Sequence, residues 1–356
     1  MMPLFTTAPR SLCLLRLSAI GDCCHAVALV QAIQRQWPAT RITWIMGKVE
    51  ASLLGDLPDI EVIAFDKKQG LRGYLQVWRQ LKGRHFDALL HLQSALRASL
   101  LSLGIRARYR LGFDATRAGD GQQLFTNLKV PSPASPHVLD GFLAFGRELG
   151  IRDLTPVWQI PTSQEQDAWA LDRIASDKPT LLIAPAASKA FKNWTLEGYA
   201  ALADHAANRG FQVLLCGGPS ALEQQMAQEI LARCQHPPEN LIGQTSLKQL
   251  MALIKQAQLV VAPDTGPTHM ATAAGVPVIG LYAHHNPERT GPYLCRDQVV
   301  SVYAPLMEAA SGKPVASLPW RSRLKDPDAM AQISADSVIA RFDQLCHQLG
   351  LRKEPA

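Results

Sequence analysis

Asp264, Thr265, Gly266, Pro267, Thr268 and His269 stand in one unbroken run between an apolar strand and a helix of small residues. Residues 259–262 are apolar and β-branched, and Pro263, Gly266 and Pro267 punctuate a turn. Thr265 and Thr268 are suited to cap a helix over 268–274, and Val278–Tyr282 reads as the next strand. A strand that feeds straight into a helix leaves backbone N–H groups pointing into a crevice, which favours an anion, typically a phosphate. The same run also suits an ordinary βα turn of an α/β domain. Asp22, within residues 15–25 (LRLSAIGDCCH), puts a carboxylate at the first strand–helix turn. In a cleft it could take a proton from a hydroxyl, and the nearby helix N-terminus favours its ionised form. A helix-capping Asp is the other reading of that position, and His25 reads as a buried structural histidine.

These groups need a frame, and the pattern around them supplies one. Strands are predicted over 11–17, 41–46, 61–65, 86–92 and 109–112, with helices over 23–35, 71–82, 95–103 and 138–149. Residues 113–137, rich in Gly, Pro and Ser, read as irregular loop, and 153–161, with Pro156 and Pro161, as a connection. The pattern then restarts, with strands at 180–184, 212–216 and 241–242 and helices at 195–208, 221–233 and 247–255. Thr195 is placed to cap its helix, and a final helix is predicted over 334–349. Alternating strands and helices imply parallel, doubly wound sheets. Two Rossmann-like domains facing across a central cleft would bring both sets of strand C-termini to one crevice.

At 356 residues the chain suggests two domains. With 47% hydrophobic and 19% charged residues, it has an ordinary globular composition. No apolar run reaches the length of a membrane span, and Arg16 and Asp22 interrupt the apolar N-terminal region, against a signal peptide. The expected location is therefore cytoplasmic. Seven cysteines, none in C-x-x-C, read as reduced thiols. Residues 1–160 hold 19 Lys and Arg against 12 Asp and Glu, net +7, and the remainder is net −1. A basic first half suggests an anionic partner there. No zinc knuckle, RNP-like aromatic motif or basic helical run points to nucleic acid, whereas an anionic glycolipid or membrane surface fits.

D-T-G-P-T-H, followed by G-V-P-V-I-G-L-Y and R-T-G-P-Y within residues 260–293, closely resembles the donor-binding segment of the ADP-heptose:lipopolysaccharide heptosyltransferases, glycosyltransferase family 9. R-L-S-A-I-G-D resembles the family's N-terminal motif, whose Asp is assigned as catalytic base. Asp22 occupies that position, with Cys23 and Cys24 where aliphatic residues are more usual. Residues 184–194 (APAASKAFKNW) resemble a second signature in which a hydroxyl and a lysine meet the donor phosphates, here Ser188 and Lys192. A lysine suits a departing diphosphate, though from the residues alone Lys192 reads equally as a surface-loop lysine. The resemblance implies that Glu223, beyond C-G-G-P (216–219), binds ribose hydroxyls, and that Thr245 and Leu247 line the adenine. It places Thr265, Gly266 and Pro267 around the diphosphate, Pro267 offering no N–H. His269 is either a donor to phosphate or sugar or a core histidine, and Asp264 either binds sugar hydroxyls or holds the turn. His284-His285-Asn286 departs from the Gly/Pro-Thr-Asp type of sequence often found there.

The four segments occur in family order, and together imply an α/β protein of the GT-B type. Its domains would span 1–155 (acceptor) and 162–330 (ADP-sugar), with a C-terminal helix over 331–356 that could pack back on the first. The activity implied is inverting, metal-independent transfer of heptose from ADP-L-glycero-D-manno-heptose to a Kdo or heptose hydroxyl of inner-core lipopolysaccharide. No cofactor or metal is implied, because the only D-x-D, Asp326-Pro327-Asp328, reads as a turn before the last helix. Lys192 and the helix N-terminus would then neutralise the donor phosphates. A Kdo-lipid A type acceptor would meet Lys67, Lys68, Arg72, Arg97 and Arg117 in the basic half, beside Arg106, Arg108 and Arg110. No nucleic acid is expected, and contact with the cytoplasmic face of the inner membrane would be peripheral. A protein acceptor, or a nucleotide-sugar epimerase or binding protein on the same fold, remains open on sequence.

Overall fold

The apolar runs near residues 12–15 and 181–183 are too short for helices and carry no polar face; each becomes a strand buried on both sides of a parallel sheet. The computed structural model describes residues 3–351, and the chain divides into two units between Pro161 and Thr162. In the first, β1 (Ser11–Leu15), β2 (Arg41–Gly47), β3 (Ile60–Phe65), β4 (Phe86–His91), β5 (Ala107–Phe113) and β6 (Leu128–Val130) form one sheet, ordered β3-β2-β1-β4-β5-β6. Its helices are α1 (Ile20–Gln36), α2 (Lys48–Leu54), α3 (Leu71–Gln80), α4 (Leu96–Leu101) and α5 (Val138–Leu149). Every strand pair is parallel, and Leu15 lies between Ile45 of β2 and His91 of β4. The chain runs outward from β1 to β3, then returns to place β4 on the other side of β1. That reversal is the switch point where an α/β sheet opens a crevice at its strand C-termini.

The second unit repeats the plan. A leading helix, α6 (Gln164–Leu171), precedes β7 (Thr180–Ile183), α7 (Leu196–Asn208), β8 (Gln212–Leu215), α8 (Ala221–Leu231), β9 (Glu239–Asn240) and α9 (Leu247–Gln256). Then come β10 (Leu259–Pro263), α10 (Gly266–Ala274), β11 (Val278–Tyr282), α11 (Pro287–Thr290), β12 (Val300–Ser301), α12 (Tyr303–Ser311) and α13 (Ala335–Gln348). The sheet order is β12-β11-β10-β7-β8-β9, again all parallel, so the reversal falls between β7 and β10. Gly275, at φ 71°, closes α10 in the left-handed conformation that glycine adopts without a Cβ penalty.

Several elements differ from the sequence expectation. The loop over 113–137 contains β6, three residues long and paired with the end of β5. α2, α6, α11, α12 and β12 are additional, and β9 lies two residues before the strand expected at 241–242. Within the second unit the last helix, α13, packs on α7. Its apolar stripe Val338, Phe342 and Leu345 is buried there, with Phe342 5.0 Å from the Phe211 ring. Asp343 on the same helix accepts from Arg209 (2.8 Å) and faces His205 Nε2 at 2.9 Å.

Candidate functional site

In the first unit β1 ends at Leu15 and α1 begins at Ile20, so residues 16–19 cross the C-terminal edge of the sheet. Ala19, not Asp22, is the N-cap, and Asp22 lies in the first turn of α1 with 30% of its side chain exposed. Arg16, 13% exposed, donates through Nη2 to Asp22 Oδ2 and through Nη1 to the Leu92 carbonyl at 2.7 Å. Leu92 directly follows β4, so one side chain ties the switch point to the acid. The guanidinium also lies 5.4 Å above the Phe142 ring. The Arg16 backbone is fixed by its N–H to the Ile45 carbonyl (3.2 Å) and by its carbonyl accepting from Trp44 Nε1 (3.3 Å). Gln93 braces the same loop, accepting from the Leu17 N–H at 2.6 Å and donating to Ser18 Oγ at 3.2 Å. Among the described residues Asp22 Oδ1 accepts no hydrogen bond. The arrangement is a carboxylate held by one oxygen with the other open, which is what a proton acceptor requires. His25 is buried, edge-on to the His137 ring at 5.2 Å.

In the second unit the equivalent position carries the opposite charge. Lys192 lies in the loop after β7, and Asp264 immediately follows β10. Lys192 Nζ donates to Asp264 Oδ2 at 2.7 Å and to the Asp264 carbonyl at 3.4 Å, again spanning the switch point. An ammonium has three N–H donors, so one remains. His285 Nδ1 is 2.5 Å from Asp264 Oδ2, and His269 Nε2 is 3.9 Å from Oδ1. Burial by itself would raise the Asp264 pKa, but the imidazoles of His269 and His285 and the ammonium of Lys192 outweigh it and hold the carboxyl well below the usual range. Asp264, 14% exposed, is thus a counter-ion inside the protein. His284 is buried with Nε2 2.7 Å from the Phe191 carbonyl and Nδ1 3.2 Å from that of Leu324, fixing the segment that carries Lys192. Lys192, Asp264, Tyr282, Ala283, His284 and His285 line a small recess.

Thr265 is the N-cap of α10, as its type suggested, yet its side chain makes no capping bond. The Thr268 hydroxyl instead donates to the Pro263 carbonyl at 2.6 Å. The first N–H groups of a helix have no partner within it, so the corner at Thr265, Gly266 and Pro267, half-buried, suits an anion. Ser188 is exposed on the β7–α7 loop, and Thr245, half-buried, precedes Ser246, the N-cap of α9. Glu223 is engaged locally: its carboxylate accepts from the Gly218 N–H and from Ser220 Oγ, the N-cap of α8. A Cβ on Gly217 would lie 2.6 Å from Glu223 Oε2, so glycine there permits the approach.

The basic residues of the first unit fall into two groups. Lys67, Lys68, Arg72 and Arg97 are exposed, as are Arg106 and Arg108. Arg117 does not belong with them: it is 3% exposed and donates to the carbonyls of His137 (2.9 Å) and Ser135 (2.6 Å). Arg110 is likewise structural, donating to Phe125, Ile105 and Ser102. Both are turned inward onto carbonyls of loops and helix ends. Two groups escaped the sequence reading. Arg16 directly follows an apolar strand, six residues before Asp22, a legible signal. His285 follows β11, the neighbour of β10, and was noted only as a departure from pattern.

With this geometry in view, the profile of glycosyltransferase family 9 (heptosyltransferase) matches residues 74–316. The chain is 48% identical to the lipopolysaccharide core heptosyltransferase OpsX of Haemophilus influenzae, over 97% of this chain and 99% of that one. Its fold is shared with a family 9 glycosyltransferase from Veillonella parvula (TM-score 0.77, 20% identity, 95% of this chain and 97% of the other). It is shared too with E. coli heptosyltransferase WaaC solved with ADP (TM-score 0.71, 18% identity, 94% and 99%). Two Rossmann-like units of the GT-B class, a braced acid at one switch point and a braced lysine at the other, accord with that match, and the chain belongs to glycosyltransferase family 9, the heptosyltransferases.

Proposed function

We propose that this enzyme moves L-glycero-D-manno-heptose from ADP-heptose to a Kdo or heptose hydroxyl of inner-core lipopolysaccharide, with inversion and without a metal ion. The observation that carries the reading is the pair of switch-point ion pairs, Arg16–Asp22 and Lys192–Asp264, in a chain so close to a lipopolysaccharide core heptosyltransferase. Asp22 takes the acceptor proton on its open oxygen while the acceptor oxygen attacks the anomeric carbon. The bond from that carbon to the diphosphate breaks, and ADP leaves with the electron pair. The remaining N–H of Lys192 and the N-terminus of α10 receive the developing charge. The recess is far too small to enclose a whole ligand, so the diphosphate lies over it, with Asp264 and His285 lining its floor. Ser188 contributes a hydroxyl, and Thr245 lies beside the nucleoside. Glu223 meets the ribose only if its carboxylate leaves Gly218 or shares itself with the sugar. A lipid-borne acceptor implies peripheral contact with the cytoplasmic face of the inner membrane.

The test is incubation with ADP-heptose and heptose-deficient lipopolysaccharide, with and without EDTA. ADP release that depends on acceptor and survives EDTA, giving product of inverted anomeric configuration, is expected. Release without acceptor, transfer only to protein, or isomerised donor would each overturn the reading.

A further inference from the structure

From β3 to β5 the first unit presents a surface that carries neither the proposed base nor the groups proposed to meet the diphosphate. Residues 67–113 contain ten Lys and Arg and a single acid, Asp87, which accepts from the Ser11 N–H. Two helices of this stretch lie side by side: Tyr74 Oη on α3 donates to the Arg97 carbonyl of α4 (3.4 Å), and Trp78 Nε1 to the Leu101 carbonyl (2.9 Å). Their inner faces are satisfied, with Val77, Ala98 and Leu101 in the core. Their outer faces are not polar. Leu71 is 81% exposed and Leu75 47%, one helical turn apart; Leu96, Leu100 and, just beyond α4, Leu103 are exposed as well. Scattered exposed leucines are ordinary, but here they recur at i, i+4 on neighbouring helices. Between them stand Lys67, Lys68, Arg72, Arg79 and Arg97, all exposed, and among the described residues none is within salt-bridge distance of an acid.

We propose that the outer faces of α3 and α4 dock on an anionic lipid bilayer, with Leu71, Leu75, Leu96, Leu100 and Leu103 entering the acyl boundary and the basic residues meeting headgroup phosphates. Apolar side chains set among a majority of Lys and Arg, here with Asp66 capping the turn that carries Lys67 and Lys68, are what an interfacial helix requires, and the charge complements a bilayer surface rather than another basic chain. The proposal rests on the reading that the acceptor is held in a membrane. It gives the exposed lysines and arginines, expected from sequence to hold the acceptor, a second duty in presenting the enzyme to the surface that carries it.

Sedimentation of the full chain with sucrose-loaded vesicles tests it. Phosphatidylglycerol-containing vesicles should bind the protein and phosphatidylcholine vesicles should not, with binding weakened by salt. Leu71→Ser/Leu75→Ser should lower partitioning about tenfold while keeping the melting temperature and transfer to a deacylated, water-soluble acceptor. Lys67→Gln/Lys68→Gln/Arg72→Gln should lower it by roughly fivefold per charge removed. Equal sedimentation of wild type and the leucine variant overturns the proposal, as does failure of wild type to bind phosphatidylglycerol vesicles. A concentration-dependent dimer abolished by the leucine substitutions would do so too, by assigning the face to a second copy. Vesicle binding without heptose transfer to any acceptor would sink the functional reading and leave the docking face standing.

Discussion

Replacing Lys192 with methionine removes one charge from a buried pair and keeps the volume, so it isolates the electrostatics of the second switch point. Lys192 Nζ and Asp264 Oδ2 are 2.7 Å apart on side chains 17% and 14% exposed. At an effective dielectric near 20 their gross attraction is roughly 6 kcal/mol, most of it offset by the desolvation of both ions. What the substitution exposes is the uncompensated carboxylate. Breaking a buried pair costs ~3–5 kcal/mol, and His285 at 2.5 Å still partners Asp264, so the low end applies. About 3 kcal/mol lowers the melting temperature of a unit of this size by roughly 6–12 °C. Asp264→Asn in the Lys192→Met background should recover at least half of the loss, since it removes the orphaned charge. Acid sensitivity follows with a definite sign. The folded Asp264 titrates below its unfolded value, so its contribution is complete above about pH 3.9 and is lost as pH falls through the lower folded value. In Lys192→Met that loss should begin at higher pH. ADP affinity, by titration calorimetry, should fall roughly 10- to 100-fold with the charge-assisted bond to phosphate. A stability loss under about 1 kcal/mol, or additive single substitutions, would refute the counter-ion argument; unchanged ADP affinity would remove Lys192 from the phosphate.

Asp22→Ala should keep ADP binding and lose turnover by about 100-fold or more, measured as acceptor-dependent ADP release, and near-normal turnover would strip Asp22 of the base role. Arg16→Gln frees the carboxylate to rotate, so kcat should fall roughly tenfold with KM little changed; Arg16→Lys should recover part of it, and a loss confined to KM would mean that Arg16 binds substrate instead. Arg117→Ala should lower thermal stability by about 1–3 kcal/mol, because it strands the Ser135 carbonyl and removes one of two donors from that of His137, whereas Arg97→Ala should leave stability within about 0.5 kcal/mol and act only on acceptor KM or vesicle binding.

What the sequence disclosed was set by how local each signal is. Short apolar runs between helical periods are local, so β1, β4, β7 and β10 and the helices α5 and α7 were legible nearly to the residue. Asp22, Lys192 and Asp264 were legible as groups at the ends of those strands. Their partners were not, because Arg16 meets Asp22 only through the bend at 16–19, and Lys192 meets Asp264 across 72 residues of chain. Arg117 shows the reverse error. Counted among neighbours in sequence, it looked like part of a basic surface; in three dimensions it turns inward to serve loop carbonyls. The strand β6 was hidden because three residues flanked by polar loop show no periodicity, and its existence depends on the free edge of β5. Glu223 follows a Ser-x-x-Glu spacing that itself signals a capping turn, a local cue weaker than the resemblance that assigned it to ribose.

The two switch points put one topology to opposite electrical uses. After β1 a partly exposed acid is braced by a more buried arginine; after β7 a lysine and an aspartate brace each other in a buried pair. Stability is a poor reason for either arrangement, since well-packed apolar side chains in the same places would serve as well or better. Transfer supplies a reason. The proposed reaction would deliver a proton to one group and a growing negative charge to another, and a group that had to change its surroundings at that moment would add reorganisation to the barrier. Arg16 and Asp264 place the compensating charge beforehand, in side chains fixed by Leu92, Phe142 and His285, which bind no substrate in the proposed reaction. In the proposed reaction each ion pair is therefore a site aimed before the ligand arrives, and its residual stability follows from that use.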